Sequence, residues 1–159
     1  MTRGQMPIID AVDKRVLEAL RDHPRATTSE LAEIAGVSRP TFRTRLDRLW
    51  DSGVIIGHEP QLDLGLIGFT VQAWVELEAD QTKLPEIAKA LDELPSVIEA
   101  FTTTGTADIR CRVAAHSTAH LQEVIRAITD CEGVSRTVSS VILSPLVNHR
   151  KVQTLDLLL

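Results

Sequence analysis

The stretch from Thr27 to Gly53 carries the start signals of two successive helices and a tight turn between them. Thr27 and Glu30 have the spacing of a capping box, in which each side chain accepts a hydrogen bond from the other residue's backbone N–H. Gly36 follows where a turn between helices needs a positive φ. Ser38 is then a preferred N-cap for another helix. These signals predict two short helices joined by a tight turn.

Hydrophobic spacing adds a third helix ahead of these two. Apolar residues from Ile9 to Leu20 recur at i, i+3, i+7, i+8 and i+11, as on one helix face, and the pattern stops before Pro24. Three short helices with a glycine turn between the last two predict a helix-turn-helix. Residues 54–57 predict the start of a small β-wing after Gly53. The predicted inward-facing residues of the second and third helices are Leu31, Ile34, Ala35, Phe42, Leu46, Leu49 and Trp50.

The third helix places its polar residues opposite its apolar stripe. Arginine occupies four of the ten positions from 39 to 48, in a chain with a formal net charge of −5. Arginine, serine and threonine are side chains that bind phosphates and base edges in the DNA major groove. The predicted DNA-binding residues are Thr28, Ser38, Arg39, Pro40, Thr41, Arg43, Thr44, Arg45 and Arg48. The alternative is a solvated arginine face on an ordinary three-helix bundle.

The acidic charge belongs to the second part of the chain. Residues 1–60 carry nine basic and nine acidic side chains, whereas residues 61–159 carry eight and thirteen. The chain lacks the ~20-residue apolar run of a membrane span and the apolar segment of a secretory signal, so we expect a cytoplasmic protein with no membrane partner. Cys111 and Cys131 have no metal-binding spacing and are expected to be reduced thiols.

The remaining hundred residues predict the order β-α-β-β-α-β. Residues 69–77 alternate apolar and polar side chains, as in a strand with one buried face. The segment LPEIAKALDELPSV (84–97) aligns without gaps on LQEVIRAITDCEGV (121–134), which indicates two similar α-β halves. This order predicts a ferredoxin-like fold with both helices on one face of a four-stranded sheet. The bare face carries Trp74, and we expect a second subunit to cover it. The predicted inward-facing helix residues are Leu84, Ile87, Ala88, Leu91, Leu121, Val124, Ile125 and Ile128, and the other predicted strands are 97–104, 109–113 and 134–143.

The chain resembles the Lrp/AsnC, or feast/famine, family of transcription regulators. The resemblance begins at IDAVDKRVL (9–17) and continues through RATTSELAEIAGVSRPTFRTRLDRLWDSGVI (25–55). It resumes at TGTAD (104–108) and GVSRTVSSVIL (133–143). These motifs stand in the family's order over nearly the whole chain.

The resemblance implies an α+β protein with a winged helix-turn-helix domain and a ferredoxin-like βαββαβ domain. The first would occupy residues 1–60, with a connector at about 57–68, and would bind double-stranded DNA. The second, at 69–145, would oligomerise from dimers to tetramers or octamers and bind a small-molecule effector, usually an amino acid. No cofactor is implied. Residues 146–159 form a tail without a family motif, whose apolar end is expected either to dock on a partner subunit or to be disordered.

The resemblance also implies an effector site around a Gly-x-x-Asp turn, here Gly105 and Asp108. Backbone N–H groups of such a turn can bind a carboxylate and the Asp side chain an ammonium, so a zwitterion finds both partners. The implied effector-binding residues are Thr104, Gly105, Thr106, Ala107, Asp108, Thr137 and Ser139. In the alternative interpretation Gly105 only forms a β-turn, which Asp108 caps. Arg110 and Arg112 depart from the family's apolar pattern, and we expect them to face solvent or pair with acidic neighbours rather than alter effector preference.

Enzymatic interpretations have less support in the sequence. No Ser-His-Asp, Walker or metal signature is present, and His116 with His120 has the spacing of zinc ligands but no third ligand. The main alternative is sirohaem decarboxylase, whose subunits resemble this same family; its His and Arg candidates here are Arg110, Arg112, His149 and Arg150. The third helix's four arginines favour DNA binding over that enzyme. A third possibility, an amino-acid-binding scaffold with a vestigial helix-turn-helix, would show no salt-dependent DNA binding. We therefore predict a non-enzymatic regulator whose operator binding or oligomeric state responds to a small molecule.

Overall fold

The computed structural model describes residues 9–57, 59–147 and 151–158, except for the side chains of Lys151 and Val152. The chain divides into two compact units. The first comprises the described parts of Met1–Pro60 and Asn148–Leu159, and the second is Gln61–Val147. No helix in the described part of the chain is long and apolar enough to cross a membrane.

The first unit contains the three predicted helices, α1 (Ala11–Asp22), α2 (Thr28–Ile34) and α3 (Arg39–Asp51). Thr27 and Glu30 form the predicted capping box at α2, and the Ser38 side chain caps α3. Gly36, at φ 66°, turns the chain between these two helices. The local start and stop signals in the sequence are therefore confirmed.

Two residues of the first unit that were predicted to lie in the core are exposed instead. Ile34 is 48% exposed and Trp50 is 41% exposed. On α2, Ala32 and Ala35 turn inward beside Leu31, which leaves Ile34 outside the buried arc. On α3, a narrow stripe is buried, and Trp50 lies about 100° beyond its last buried member. The buried residues of this unit are Val16, Ala19, Leu31, Ala32, Ala35, Phe42 and Leu49, with Asp13 among them.

The predicted start of a β-wing is a turn rather than a strand in residues 54–57, all of which the structure describes. The backbone N–H groups of Val54 and Ile55 both donate to the Leu49 carbonyl, over 3.0 and 3.1 Å. Their side chains are partly buried against the first unit's core. This segment therefore closes the end of α3.

The tail contributes a 3-10 helix, Lys151–Leu157, to the first unit. Leu155 is buried, Arg21 Nη1 is 2.8 Å from Asp156 Oδ1, and Lys14 Nζ donates to the Leu158 carbonyl over 2.6 Å. These contacts hold the described tail residues against α1 of the same chain. The structure thus differs from both outcomes expected from the sequence, a partner contact or disorder.

The second unit has the predicted β-α-β-β-α-β order. Its elements are β1 (Val71–Ala79), α4 (Leu84–Asp92), β2 (Val97–Thr102), β3 (Ile109–Ala115), α5 (Thr118–Thr129) and β4 (Val134–Ile142). All neighbouring strands are antiparallel, in the spatial order β2-β3-β1-β4. A short 3-10 turn, Gln81–Lys83, leads into α4. This is the ferredoxin-like arrangement expected from the sequence.

The core of the second unit lies between one sheet face and the two helices. Alternating residues of β1 and β3 point into it, and Ile87, Leu91 and Ile128 cover them from the helices. Burial raises the pKa of the Cys111 thiol to about 11, so it remains protonated at neutral pH. Ala88 was predicted to face inward but is exposed, because it lies over the groove between α4 and the edge strand β2.

The other sheet face carries Trp74 within a charged network. The Arg110 guanidinium lies 4.3 Å from the centre of the Trp74 ring and 3.9 Å from Glu76 Oε1. Arg112 binds Gln72 Oε1 over 2.7 Å and lies 3.7 Å from a Glu99 oxygen. The pairing of both arginines with acidic neighbours is therefore confirmed.

Candidate functional sites

The exposed face of α3 has free positive charge at its N-terminal half. Arg39, Thr41, Arg43 and Thr44 are exposed. Arg39 and Arg43 are four residues apart and thus neighbours on the helix surface. Within the described residues neither arginine takes part in an ion pair. These side chains are available to an external anion.

The first turn of α3 is fixed by its own cap. Ser38 Oγ accepts from the Thr41 N–H over 3.2 Å and lies 2.7 Å from Thr41 Oγ1. Pro40 stands in the first turn, where its missing N–H costs no hydrogen bond. Thr28 is half-buried at the first position of α2. The predicted DNA-binding residues at the starts of α2 and α3 therefore lie in capped first turns.

Arg45 and Arg48 are placed differently from the rest of the arginine cluster. Arg45 Nη1 is 2.5 Å from Asp10 Oδ2 and 3.3 Å from Asp13 Oδ1. Arg48 Nη2 also donates to Asp13, which is completely buried. Two of the predicted DNA-binding side chains are therefore directed at α1 of their own domain.

Asp10 and Asp13 are residues that the hydrophobic pattern missed. The backbone N–H of Asp13 and then the Arg45 guanidinium lower the pKa of Asp10 to about 2, which keeps it ionised. The available signals were the Asp-x-x-Asp spacing at a helix start and the position of Asp13 three residues before buried Val16.

The predicted effector turn joins β2 to β3. Gly105 has φ 133°, a region that favours glycine, and Thr104 and Thr106 are exposed. Asp108 Oδ2 accepts from the Ala79 N–H over 2.8 Å, and its Oδ1 accepts from Gln81 Nε2 over 2.6 Å. Asp108 therefore fastens the turn to the end of β1, and its carboxylate retains further acceptor capacity.

A cavity of about 200 Å³ lies beside this turn. Its lining residues are Glu76, Leu77, Glu78, Thr106, Ala107, Arg136 and Val138. Arg136 Nη1 is 3.1 Å from Glu78 Oε1, so the cavity presents both charge signs. Ligand pockets for drug-sized molecules are about 300–1,000 Å³, so this cavity suits a smaller solute. Glu76, Glu78 and Arg136 were missed because the turn motif does not include them.

Strand register separates Thr137 and Ser139 from this cavity. They stand opposite Leu77 and Val75, which are buried under the helices. Thr137 Oγ1 accordingly lies 3.0 Å from Thr129 Oγ1 on α5. Of the seven predicted effector residues, Thr106 and Ala107 line the cavity.

The histidine pair is arranged as a stack. The rings of His116 and His120 are 5.2 Å apart, His116 Nδ1 is 3.0 Å from the Gly68 carbonyl, and His120 Nδ1 accepts from the His116 N–H. Among the residues described, no group of three or more His, Cys, Asp or Glu side chains could hold a metal ion. His149 and Arg150 lie outside the described residues.

Together these features define a two-domain protein, with a helix-turn-helix of the DNA-binding kind and a βαββαβ domain with a small charged cavity. A family model described as winged helix-turn-helix DNA-binding matches residues 9–56, and the Lrp/AsnC ligand binding domain matches residues 70–152. The chain belongs to the Lrp/AsnC family of transcriptional regulators.

Known proteins resemble the chain over most of its length. The HTH-type transcriptional regulator Rv2324 of Mycobacterium tuberculosis is 33% identical, covering 91% of this chain and 98% of its own. The leucine-responsive regulatory protein of Rhizobium meliloti is 31% identical, covering 79% of this chain and 83% of its own. The structure of Escherichia coli AsnC matches with a TM-score of 0.83 and 27% identity, covering 92% of this chain and 99% of that one. The Mycobacterium tuberculosis and Rhizobium meliloti relatives are named as regulators, not as enzymes.

Proposed function

We propose that this regulator binds operator DNA through the exposed N-terminal half of α3 and that an amino acid modulates this binding or the oligomeric state. The observation that carries the proposal is a capped helix that exposes Thr41 and Thr44 beside Arg39 and Arg43, two arginines without an ion-pair partner among the described residues. Such a protein acts where the chromosome is, which in a bacterium or archaeon is the cytoplasm.

The proposed DNA contacts are of three chemical kinds: charged side chains, hydroxyl groups and backbone N–H groups. Arg39 and Arg43 supply positive charge for phosphates or guanine edges, and Thr41 and Thr44 supply hydroxyls. Ser38, Pro40 and Thr28 stand at the helix starts, where backbone N–H groups favour a phosphate. A recognition helix makes few contacts alone, so we infer a homo-oligomer whose helices meet half-sites about 34–36 Å apart.

The cavity beside the turn is our candidate effector site. A free amino acid carries one ammonium and one carboxylate. Glu76 and Glu78 match the first group and Arg136 the second, while Thr106 and Ala107 bring the turn's backbone to the cavity. The volume of about 200 Å³ favours an amino acid over a tetrapyrrole. One relative is named as leucine-responsive, which supports an amino acid as the ligand class.

The experiment combines DNA binding with a ligand screen on the full chain. Fluorescence anisotropy would follow a labelled duplex from upstream of the protein's own coding region, at about 50 mM salt where phosphate contacts bind strongly. A thermal-shift screen would test each common amino acid, because a ligand of the folded state raises the melting temperature. Binding that one amino acid alters supports the proposal. A protein that leaves the duplex free with and without every amino acid would overturn it.

A further inference from the structure

The four arginines of α3 form two pairs with different surroundings. Arg39 and Arg43 are four residues apart, and Arg45 and Arg48 are three apart, so each pair shares one strip of helix surface. The first pair makes no ion pair within the described residues, whereas the second binds the carboxylates of α1. The positive charge that α3 offers to DNA is therefore smaller than its four arginines suggest.

Asp13 holds the second pair from a buried position. It has no exposed surface, and its oxygens accept hydrogen bonds from Arg45, Arg48 and the Asp10 N–H. A buried carboxylate is costly unless it is paired and hydrogen-bonded, so it favours arginine positions that keep it satisfied. That requirement restrains the rotation of α3 relative to α1.

Asp10 adds an outer contact to the same arrangement. Its Oδ1 caps α1 by accepting from the N–H groups of Val12 and Asp13, both over 2.9 Å. Its Oδ2 accepts from Arg45 over 2.5 Å. One side chain thus joins the start of α1 to the middle of α3.

We propose that Asp10 and Asp13 are positioning residues for DNA recognition, which hold Arg45 and Arg48 in ion pairs with α1 and leave Arg39 and Arg43 as the charges that meet DNA. This inference rests on the proposed DNA-binding function. Nonspecific affinity for DNA rises with every phosphate that a cation neutralises. Holding two arginines in internal ion pairs therefore favours selective over nonspecific DNA binding. The carboxylates limit that nonspecific affinity and also hold α3 in a fixed orientation relative to α1.

The first test removes a carboxylate without removing the helix cap. Asp10→Asn keeps an N-cap residue of equal quality but frees Arg45 from one charged partner. We expect tighter binding to a random-sequence duplex and a salt dependence steeper by up to ~0.9 in log–log slope, the value for one added phosphate contact. Asp22→Asn, at the other end of α1, removes the same charge away from α3 and is expected to leave the slope unchanged. Equal slopes for these two variants would overturn the inference.

The second test compares arginines from the two pairs. Arg43→Gln is expected to flatten the slope by ~0.9 with an unchanged melting temperature. Arg45→Gln is expected to lower the melting temperature while changing the slope by less than half as much. The combination Asp10→Asn with Arg45→Gln should lower the melting temperature by less than the sum of the single changes, because both remove one interaction. A slope that falls equally for both arginines would contradict the division into pairs.

The two proposals fail in different ways. Wild-type protein that binds no duplex at any salt concentration would remove the DNA-binding function. Wild-type protein that binds DNA, but whose Asp10 and Arg45 substitutions are additive in melting temperature, would remove only the positioning role. The melting measurement needs no DNA and therefore tests the Asp10–Arg45 interaction in either case.

Discussion

Asp13 is a buried carboxylate that joins two helices of the first unit through Arg45 and Arg48. The apolar spacing of α1 includes Val12, Val16 and Leu20 but not Asp13, which lies on the inner side of the same helix. The residue is fully buried because three donors compensate for its lost water. The helical spacing places Asp13 on the inner side of α1. It does not show that arginines of α3 donate hydrogen bonds to it, because that contact is tertiary.

Asp10 leads to a prediction about acid stability. Its pKa is lowered from 3.8 to about 2 in the folded state, chiefly by the Asp13 N–H and then by Arg45. A carboxyl group with a depressed folded pKa contributes stability above its unfolded pKa and loses it as pH falls through the folded value. We expect wild type to lose stability relative to Asp10→Asn between pH 3.8 and about 2. Urea unfolding of both proteins across this range measures the difference, and parallel pH curves would contradict it.

Helix boundaries were the part of the fold that the sequence predicted best. The caps at Thr27 and Ser38 and the turn at Gly36 act through neighbouring backbone, so local sequence contains their whole cause. The roles of Arg45 and Ser139 depend on what lies across a helix contact or a strand register. Such information is tertiary, so the sequence did not predict that Arg45 and Arg48 pair with carboxylates of α1. For the same reason it did not predict that Thr137 and Ser139 stand opposite residues buried under the helices.

The turn before the recognition helix gives a prediction with a matched control. Gly36 has φ 66°, and an added Cβ would meet no atom within 4 Å, so any cost of Gly36→Ala comes from backbone conformation alone. That cost is about 1 kcal/mol in the free energy of unfolding. Gly57 has equally open surroundings and no positive φ, so Gly57→Ala should change it by less than about 0.5 kcal/mol. Urea unfolding compares the two variants, and equal effects would contradict the assignment.

The C-terminal 3-10 helix gives a second prediction at this scale. Leu155 is 8% exposed against α1, whereas Leu157 in the same helix is 85% exposed. Leu155→Ala should reduce the free energy of unfolding of the first unit by about 2 kcal/mol, the lower range for a buried leucine because the site is near the surface. Leu157→Ala serves as the control and should stay within about 0.5 kcal/mol. If both variants unfold like wild type, the tail does not stabilise the first unit.

At the scale of the molecule, charge is divided between the two units. The arginine cluster lies in residues 1–60, which carry nine basic and nine acidic side chains, whereas residues 61–147 of the second unit carry six and twelve. Under the proposed function, the acidic second unit repels DNA, so attraction is concentrated at α3. Each subunit of the proposed homo-oligomer would add another α3 while the acidic surface continued to repel DNA.

The proposed response to an amino acid must obey linkage between the two sites. If the ligand changes DNA affinity by some factor, DNA changes ligand affinity by the same factor. Arg136→Gln removes the cationic group that lines the effector cavity, so we expect loss of both the ligand-induced thermal shift and the ligand effect on DNA affinity. Arg126→Gln removes an equal charge from the exposed side of α5 and should keep both responses. Titrating ligand with and without duplex measures the coupling in each direction. Loss of the thermal shift in Arg136→Gln with a preserved effect on DNA would mean that the regulatory ligand binds elsewhere.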